Sequence, residues 1–415
     1  MTIDQQAIDR QWMAEVIALA EKGAGRTSPN PMVGAIVVKN GVEVGRGYHQ
    51  RAGGPHAEVI ALEQAGERAK GATLYVNLEP CSHFGKTPPC VKSILDSGIA
   101  TVVCAMEDPN PQVNGSGIRH LRAQGIGVRV GVLRRSAMRQ NEAHIKFSLT
   151  GLPLVTLKIA QTLDGKIATV GGRREDVSGP EARKFVHSLR ARYDAVLVGR
   201  NTVVLDDPQL TVRDVKGRDP LRLVLDSWGK IPNGARVFKE NADKKTVRIG
   251  LIMGKRPVTS PHPDCFDWYL NHDDRHQIDL NEMLRKAAGN GITSILVEGG
   301  GEVFGSFIRE KLADKTHLII STRFLGAGGL SMTGRWKALS LDAAVRVVDS
   351  DVRWLGRDLL ITGYPDYDPQ AGEQPLMIPE PAEVTEEGGV ATNEVAGDVS
   401  YEEPEPVSSA ESEEA

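Results

Sequence analysis

Gly54-Pro55-His56-Ala57-Glu58 and Glu79-Pro80-Cys81-Ser82-His83-Phe84-Gly85-Lys86-Thr87-Pro88-Pro89-Cys90 decide the architecture of this 415-residue chain. One imidazole, His56, and two thiols, Cys81 and Cys90, form a donor set for zinc with the fourth position open. An open position holds a water, and zinc lowers the pKa of that water from near ~16 toward ~7. Glu58 lies two residues after the histidine and can take a proton from the water and return it to a leaving group. Taken singly, the cysteines read as core thiols and His56 as a satisfied core histidine; together with Glu58 and Pro80 they read as a catalytic metal site. His83, inside the loop, is the nearby alternative as a fourth ligand, and reads better as a substrate contact.

Outward from these stretches, periodicity predicts a layered α/β domain over residues 1–146. Residues 8–24 read as an amphipathic helix with Ile8, Trp12, Val16 and Leu19 on one stripe. Residues 33–38 and 42–48 read as strands joined by an Asn40-Gly41 hairpin turn. Helices are expected over 56–64 and 89–95, each with a metal donor in its first turn, where the helix dipole favours thiolate over thiol. Strands over 73–76, 102–106 and 128–132 complete this half.

A second domain is expected over 152–366, with strands at 152–158, 195–198, 221–225, 247–253 and 294–297 and helices at 180–191 and 301–312. The two halves share no repeat. Glu298-Gly299-Gly300-Gly301 follows an apolar strand and precedes a helix, so its backbone N–H groups offer a seat for a pyrophosphate. Alone this is a weak signal, and it is neither the Gly-x-Gly-x-x-Gly fingerprint nor a Walker loop.

Four cysteines, two of them in the metal set, indicate a reducing compartment rather than a disulfide framework. Cys104 reads as a buried strand residue, and Cys265 has no evident partner in the sequence. The N-terminus lacks a basic region and an apolar core, and no run approaches the ~20 apolar residues of a membrane helix, so a cytoplasmic protein without membrane contact is expected. The net charge of −4 conceals an asymmetry. The segment 367–415 holds fourteen acids and no Lys or Arg, which leaves the body at +10. A basic body suits anionic ligands such as phosphorylated metabolites or dinucleotides, and the Glu/Pro/Ser-rich tail is expected to be disordered. The basic residues form no long cluster, which argues against a nucleic-acid partner.

His-x-Glu followed by Pro-Cys and a second cysteine is the signature of zinc-dependent base deaminases, although here eight residues separate the cysteines where most have two. From about Trp12 to Tyr364 the chain resembles the bifunctional riboflavin-biosynthesis deaminase–reductase family. The first half carries residues 27–34 (Thr-Ser-Pro-Asn-Pro-Met-Val-Gly), the His-Ala-Glu segment, the long cysteine insert and residues 107–111 (Glu-Asp-Pro-Asn-Pro). The second carries residues 158–166 (Lys-Ile-Ala-Gln-Thr-Leu-Asp-Gly-Lys), 201–208 (Asn-Thr-Val-Val-Leu-Asp-Asp-Pro), 210–213 (Leu-Thr-Val-Arg) and 297–301 (Val-Glu-Gly-Gly-Gly).

The resemblance implies a cytidine-deaminase-like zinc domain followed by a dihydrofolate-reductase-like domain that uses NADPH. It implies deamination of 2,5-diamino-6-ribosylamino-4(3H)-pyrimidinone 5′-phosphate, then reduction of the ribosyl to a ribityl side chain. It assigns substrate contacts in the first site to Asn30, His49, His83, Lys86, Asp108 and Asn110; the prolines flanking Asn30 and Asn110 also mark them as turn formers. It assigns cofactor contacts to Ala160, Thr202, Asp206, Gly300, Gly301, Glu302, Val303, Phe304, Gly305 and Ser306. Arg190, Leu210, Arg213 and Glu298 take the reductase substrate, with Lys158 either in the same pocket or a strand-end surface lysine. Asp206 and Lys158 are the candidates for guiding the proton, and Asp207 reads as a turn residue. After Gly171-Gly172 the family usually shows a Trp-Ile-Thr-Gly-like run; here Asp176-Val177-Ser178-Gly179 puts a carboxylate where an aromatic lies near the cofactor. Competing readings are a deaminase with a merely structural second half, and a non-catalytic zinc scaffold with the tail as a partner-binding arm; Glu58 argues against the latter. A homo-oligomer is compatible with all of them.

Overall fold

The computed structural model describes residues 3–82, 89–110, 113–169, 176–239, 246–253, 256–257 and 265–368. His83, Lys86 and the expected disordered tail from 369 onward lie outside the described residues. Tyr367, expected in that tail, instead donates its hydroxyl to the Ala313 carbonyl at 3.2 Å and belongs to the folded body.

The first half runs α1 (Ile3–Ala20), β1 (Gly34–Lys39), β2 (Val42–Tyr48), α2 (Ala57–Ala65), β3 (Thr73–Val76), α3 (Cys90–Asp96), β4 (Thr101–Cys104), α4 (Ser116–Ala123), β5 (Gly127–Val130), α5 (Arg134–Gln140) and α6 (Glu142–Thr150). Its sheet has the order β2-β1-β3-β4-β5. The hairpin turns at Asn40 and Gly41, both at positive φ, as the pair predicts. Two glycines on β2 set the position of α2. A Cβ on Gly45 would lie 2.2 Å from the Ala61 carbonyl, and one on Gly47 2.5 Å from that of Ala57. Ala57, Ala61 and Ala65 are the small residues on the facing side, so helix and strand meet almost backbone to backbone. The start of α2, with its metal donor, is thereby fixed against the sheet.

The apolar stripe of α1 differs from the expectation. Met13, Val16, Leu19 and Ala20 are buried, while Ile8 is 39 % exposed. The turn near Ile8 is occupied instead by Asp9, a fully buried carboxylate that accepts from the Tyr75 hydroxyl at 2.8 Å and from Arg129 Nε at 2.7 Å. A paired carboxylate takes the core position that hydropathy alone gives to the isoleucine.

The second half comprises β6 (Leu154–Thr162), β7 (Lys166–Ala168), α7 (Pro180–Arg192), β8 (Ala195–Gly199), α8 (Arg200–Asp206), β9 (Leu221–Leu225), β10 (Thr246–Met253), β11 (Arg256–Pro257), β12 (Phe266–Leu270), α9 (Leu280–Gly289), β13 (Ser294–Val297), α10 (Gly301–Arg309), β14 (Lys315–Ser321), β15 (Leu330–Ser331), β16 (Arg346–Leu355) and β17 (Asp358–Asp366). The main sheet has the order β11-β10-β9-β8-β13-β6-β14-β17-β16, with β12 also on β10. From β10 to β14 neighbouring strands are parallel, and β17 and β16 close that edge antiparallel. Parallel strands end together at one side of the sheet, which is where α/β proteins place their ligands. Gly199 ends β8 there, and Glu298 follows β13 there.

Candidate active sites

His56 caps α2 from an extended backbone (φ −74°, ψ 156°), and Cys90 opens α3 after its N-cap, Pro89. The two helix starts converge. His56 Nδ1 lies 3.1 Å from Cys90 Sγ and 3.6 Å from Cys81 Sγ, and the Cys90 backbone N–H donates to Cys81 Sγ at 3.3 Å. The three donor atoms lie within 4.8 Å of one another. A tetrahedron with zinc–ligand bonds of ~2.0–2.3 Å has edges of about 3.5–3.8 Å, so the imidazole and two soft sulfurs fit zinc.

The electrostatics agree. The Cys81 thiol is pulled down to about 4, chiefly because the Cys90 thiol donates to it and His56 and the Cys90 N–H add to the effect. Cys90, as that donor, is pushed up. Glu58, 4 % exposed, has its carboxyl raised by burial and then by the neighbouring Cys81 charge, which suits a group that must both hold and release a proton.

The other expected contacts of this site are placed by hydrogen bonds. His49 Nδ1 faces the Pro55 carbonyl at 3.0 Å and its Nε2 meets Asn30 Nδ2 at 3.1 Å, so both ring nitrogens are engaged. Its ring stands edge-on to His56, with centroids 5.8 Å apart. His49 therefore orients Asn30 rather than offering a free nitrogen. Asp108 Oδ1 accepts the Asn110 backbone N–H at 2.9 Å, the turn that the prolines announce. Glu79, not anticipated as more than part of the motif, organises this loop. It is buried and accepts the backbone N–H groups of Asp108, Gly115, Gly117 and Ile118 at 2.7–3.2 Å. No periodicity in the sequence marks such a carboxylate, because its partners are backbone.

The second site is a cleft of about 1180 Å³ at the ends of β8 and β13. Lys158, Ala160, Arg190, Thr202, Asp206, Arg213, Glu298 and the residues Gly300, Gly301, Glu302, Val303, Phe304 and Ser306 all line it. Leu210 and Gly305 do not, in contrast to the expectation. Leu210 is buried among Val196, Val198 and Val203. Gly305 exists for packing, since a Cβ there would lie 2.3 Å from the Thr333 carbonyl. The surface-lysine reading of Lys158 is excluded, for its side chain is 13 % exposed and its Nζ sits 3.1 Å from Glu298 Oε2. Asp207 takes the left-handed position after α8 and accepts the Arg236 N–H at 2.7 Å, a turn residue as expected.

The cleft suits a dinucleotide. Gly300 caps α10 at φ +68°, and a Cβ on Gly301 would lie 2.4 Å from the Ser331 carbonyl, so the helix start is bare backbone opening into the cleft. Arg183, Arg190, Arg213, Arg275 and Arg335 supply positive charge along its length. Arg183, His187 and Arg190 share one face of α7 at spacings of four and three residues, a stripe that helical periodicity would have revealed. His187 is buried, accepts the Arg213 N–H at 2.8 Å through Nδ1, and is held below the ordinary imidazole range by burial and by Arg190. Asp176 stands at the same cleft, 3.8 Å from Arg183.

Comparison with known proteins decides the family. Residues 6–106 match the cytidine and deoxycytidylate deaminase zinc-binding region, and residues 153–361 match the RibD C-terminal domain. The riboflavin biosynthesis protein RibD of Aquifex aeolicus is 42 % identical over 355 residues, covering 85 % of this chain and 98 % of that protein. The chain belongs to the RibD family. RibD of Escherichia coli K12 is 36 % identical, again over 85 % of this chain and 98 % of its own length. Among solved structures, the Thermotoga maritima diaminohydroxyphosphoribosylaminopyrimidine deaminase/5-amino-6-(5-phosphoribosylamino)uracil reductase superposes with a TM-score of 0.77 at 38 % identity, covering 87 % of this chain and all of that one. RibD of Acinetobacter baumannii gives 0.77 at 34 % identity, covering 87 % and 99 %. The chain is thus a bifunctional enzyme of riboflavin biosynthesis, a zinc-dependent deaminase joined to an NADPH-dependent reductase. Among the described residues no helix is long and apolar enough to cross a membrane.

Proposed function

We propose that this RibD-family chain removes the 2-amino group of 2,5-diamino-6-ribosylamino-4(3H)-pyrimidinone 5′-phosphate in residues 1–146 and reduces the ribosyl side chain of the product in residues 152–366, in the cytoplasm. The observation that carries this reading is the presence in one chain of two separate, chemically different sites: His56, Cys81 and Cys90 beside buried Glu58, and the glycine-lined basic cleft around Glu298.

In the first site, His56 Nδ1 and the two sulfurs are the residues that would hold zinc, which when bound activates a water for attack on the pyrimidine carbon. Glu58 takes the proton of that water and delivers it to the departing amine, so ammonia leaves neutral. Asn30, oriented by His49, offers an amide oxygen and nitrogen to a pyrimidine edge, and Asp108 and Asn110 complete the rim. His83 and Lys86 belong to this proposal by resemblance, with Lys86 as the charge for phosphate.

In the second site, Gly300 to Phe304, Thr202 and Ala160 would hold NADPH, which supplies the reducing electrons. The ribosylamine opens to an imine whose C1′ carbon is the electrophile. Lys158 lies 3.1 Å from the buried carboxylate of Glu298, and Asp206 lines the same cleft; these two guide the proton that balances reduction. Arg213 meets the substrate's phosphate end. Incubating the purified chain with the diaminopyrimidinone and following ammonia and NADPH absorbance separately tests the assignment. Ammonia release without NADPH, then NADPH oxidation only after deamination, is the expected order.

A further inference from the structure

We propose that the reductase half completes the deaminase site: Asp194, just before β8, positions the turn from Thr27 to Asn30 through Ser28. This rests on the assignment of deamination to the first site. Ser28 Oγ donates to Asp194 Oδ2 at 2.7 Å, across the boundary between the two halves. The Asn30 N–H donates to the Thr27 carbonyl at 2.8 Å, so Ser28 and Asn30 sit in one closed turn. Asn30 in turn places its amide on His49 Nε2, beside the zinc ligand His56. A shift of Ser28 is therefore a shift of the amide that faces the substrate.

Asp194 is itself fixed. Its Oδ2 also accepts the Thr293 N–H at 3.0 Å and the Thr293 hydroxyl at 2.8 Å, and its Oδ1 accepts Arg218 at 2.9 Å. Arg218 donates onward to the Gly25 carbonyl, at the start of the same deaminase loop. Gly25 packs so near α7 that a Cβ would lie 2.1 Å from the Ala191 carbonyl. On the far side, Met32 is held in both directions by Asn141, N–H to Oδ1 at 2.8 Å and Nδ2 to carbonyl at 3.0 Å. The turn is thus clamped from both halves, and Ser28 and Asn30 line a cavity of about 300 Å³ together with Met32, Asn141, Tyr193 and His317. Ser28 Oγ also meets the Thr293 hydroxyl at 3.1 Å, so the Ser28 hydroxyl is the point where the reductase half holds the turn, and the cavity beside it leaves room for the turn to shift once that hydroxyl is gone.

The test uses the full chain with Ser28→Ala and Ser28→Thr. Removing only the hydroxyl leaves Asp194 satisfied by Thr293 and Arg218. The expected result for Ser28→Ala is a rise of about fivefold in the deamination KM, with zinc at one per chain, an unchanged melting temperature and unchanged reduction of pre-deaminated substrate. Ser28→Thr restores the KM. Unchanged deamination kinetics in Ser28→Ala would overturn the proposal. So would a parallel loss of both reactions with zinc or melting temperature, which marks a merely structural contact. A wild-type chain that released no ammonia would instead sink the deaminase assignment beneath it.

Discussion

Glu298 and Arg190 form a two-point pair at the floor of the reductase cleft, Nε to Oε1 at 2.5 Å and Nη2 to Oε2 at 2.8 Å. Lys158 closes a third contact on the same carboxylate. Burial alone would raise the Glu298 carboxyl, but Arg190 and Lys158 outweigh it and hold it at about 2. The folded value lies below the ordinary carboxylate value, so the stabilisation is fully present above about pH 4.5 and is lost as pH falls through 2.

Glu298→Gln keeps the shape and removes the charge, leaving two buried cations without their counterion. We expect a loss on the order of 3 kcal/mol at neutral pH, with the gap to wild type closing between pH 4.5 and 2. Urea unfolding at a series of pH values measures it. A pH-independent gap would show that Glu298 is not the linked group.

Cys81→Ser and Cys90→Ser should each lower bound zinc and abolish ammonia release, because both sulfurs face His56 Nδ1. Glu58→Gln should keep zinc and lose at least a hundredfold in deamination rate, since an amide cannot shuttle protons. Atomic absorption with an ammonia assay separates these cases. Near-normal ammonia release in Glu58→Gln would refute the proton route.

Much of this was legible because the deciding residues are local. His56, Glu58 and Cys90 lie at helix starts and Cys81 in the loop before α3, all within short motifs, and the β1–β2 turn follows from Asn40-Gly41. Asp9, Glu79 and Asp194 were not legible. Each is a buried carboxylate whose partners are distant side chains or backbone N–H groups, and hydropathy patterns carry no record of such pairing. The strands β14, β17 and β16 at one end of the main sheet were missed for a related reason. β16 is largely exposed and mixes charged with apolar residues, so its strand character comes from pairing with β17.

Gly301→Ala should impair only the reductase. The added Cβ meets the Ser331 carbonyl and the Gly334 N–H, so the start of α10 or the facing loop must shift. NADPH affinity should fall by about tenfold or more, with deamination unchanged. Fluorescence titration of NADPH reads this without turnover, and an unaltered affinity would remove Gly301 from the cofactor seat.

Asp176→Asn should tighten NADPH binding by about twofold at low salt, because a carboxylate 70 % exposed at the cleft repels an anionic ligand. The gain should vanish at high salt. The same titration at two ionic strengths decides it; tighter binding at both would point to a packing effect.

The most direct test of two sites acting in sequence is mass spectrometry of the product formed from the diaminopyrimidinone phosphate, with and without NADPH. Without NADPH, the account predicts a single product in which one amino group is replaced by oxygen. With NADPH, that product gains two hydrogens in its sugar-derived chain. Gain of hydrogen without loss of the amino group, or no conversion in either condition by a zinc-loaded chain, would contradict it.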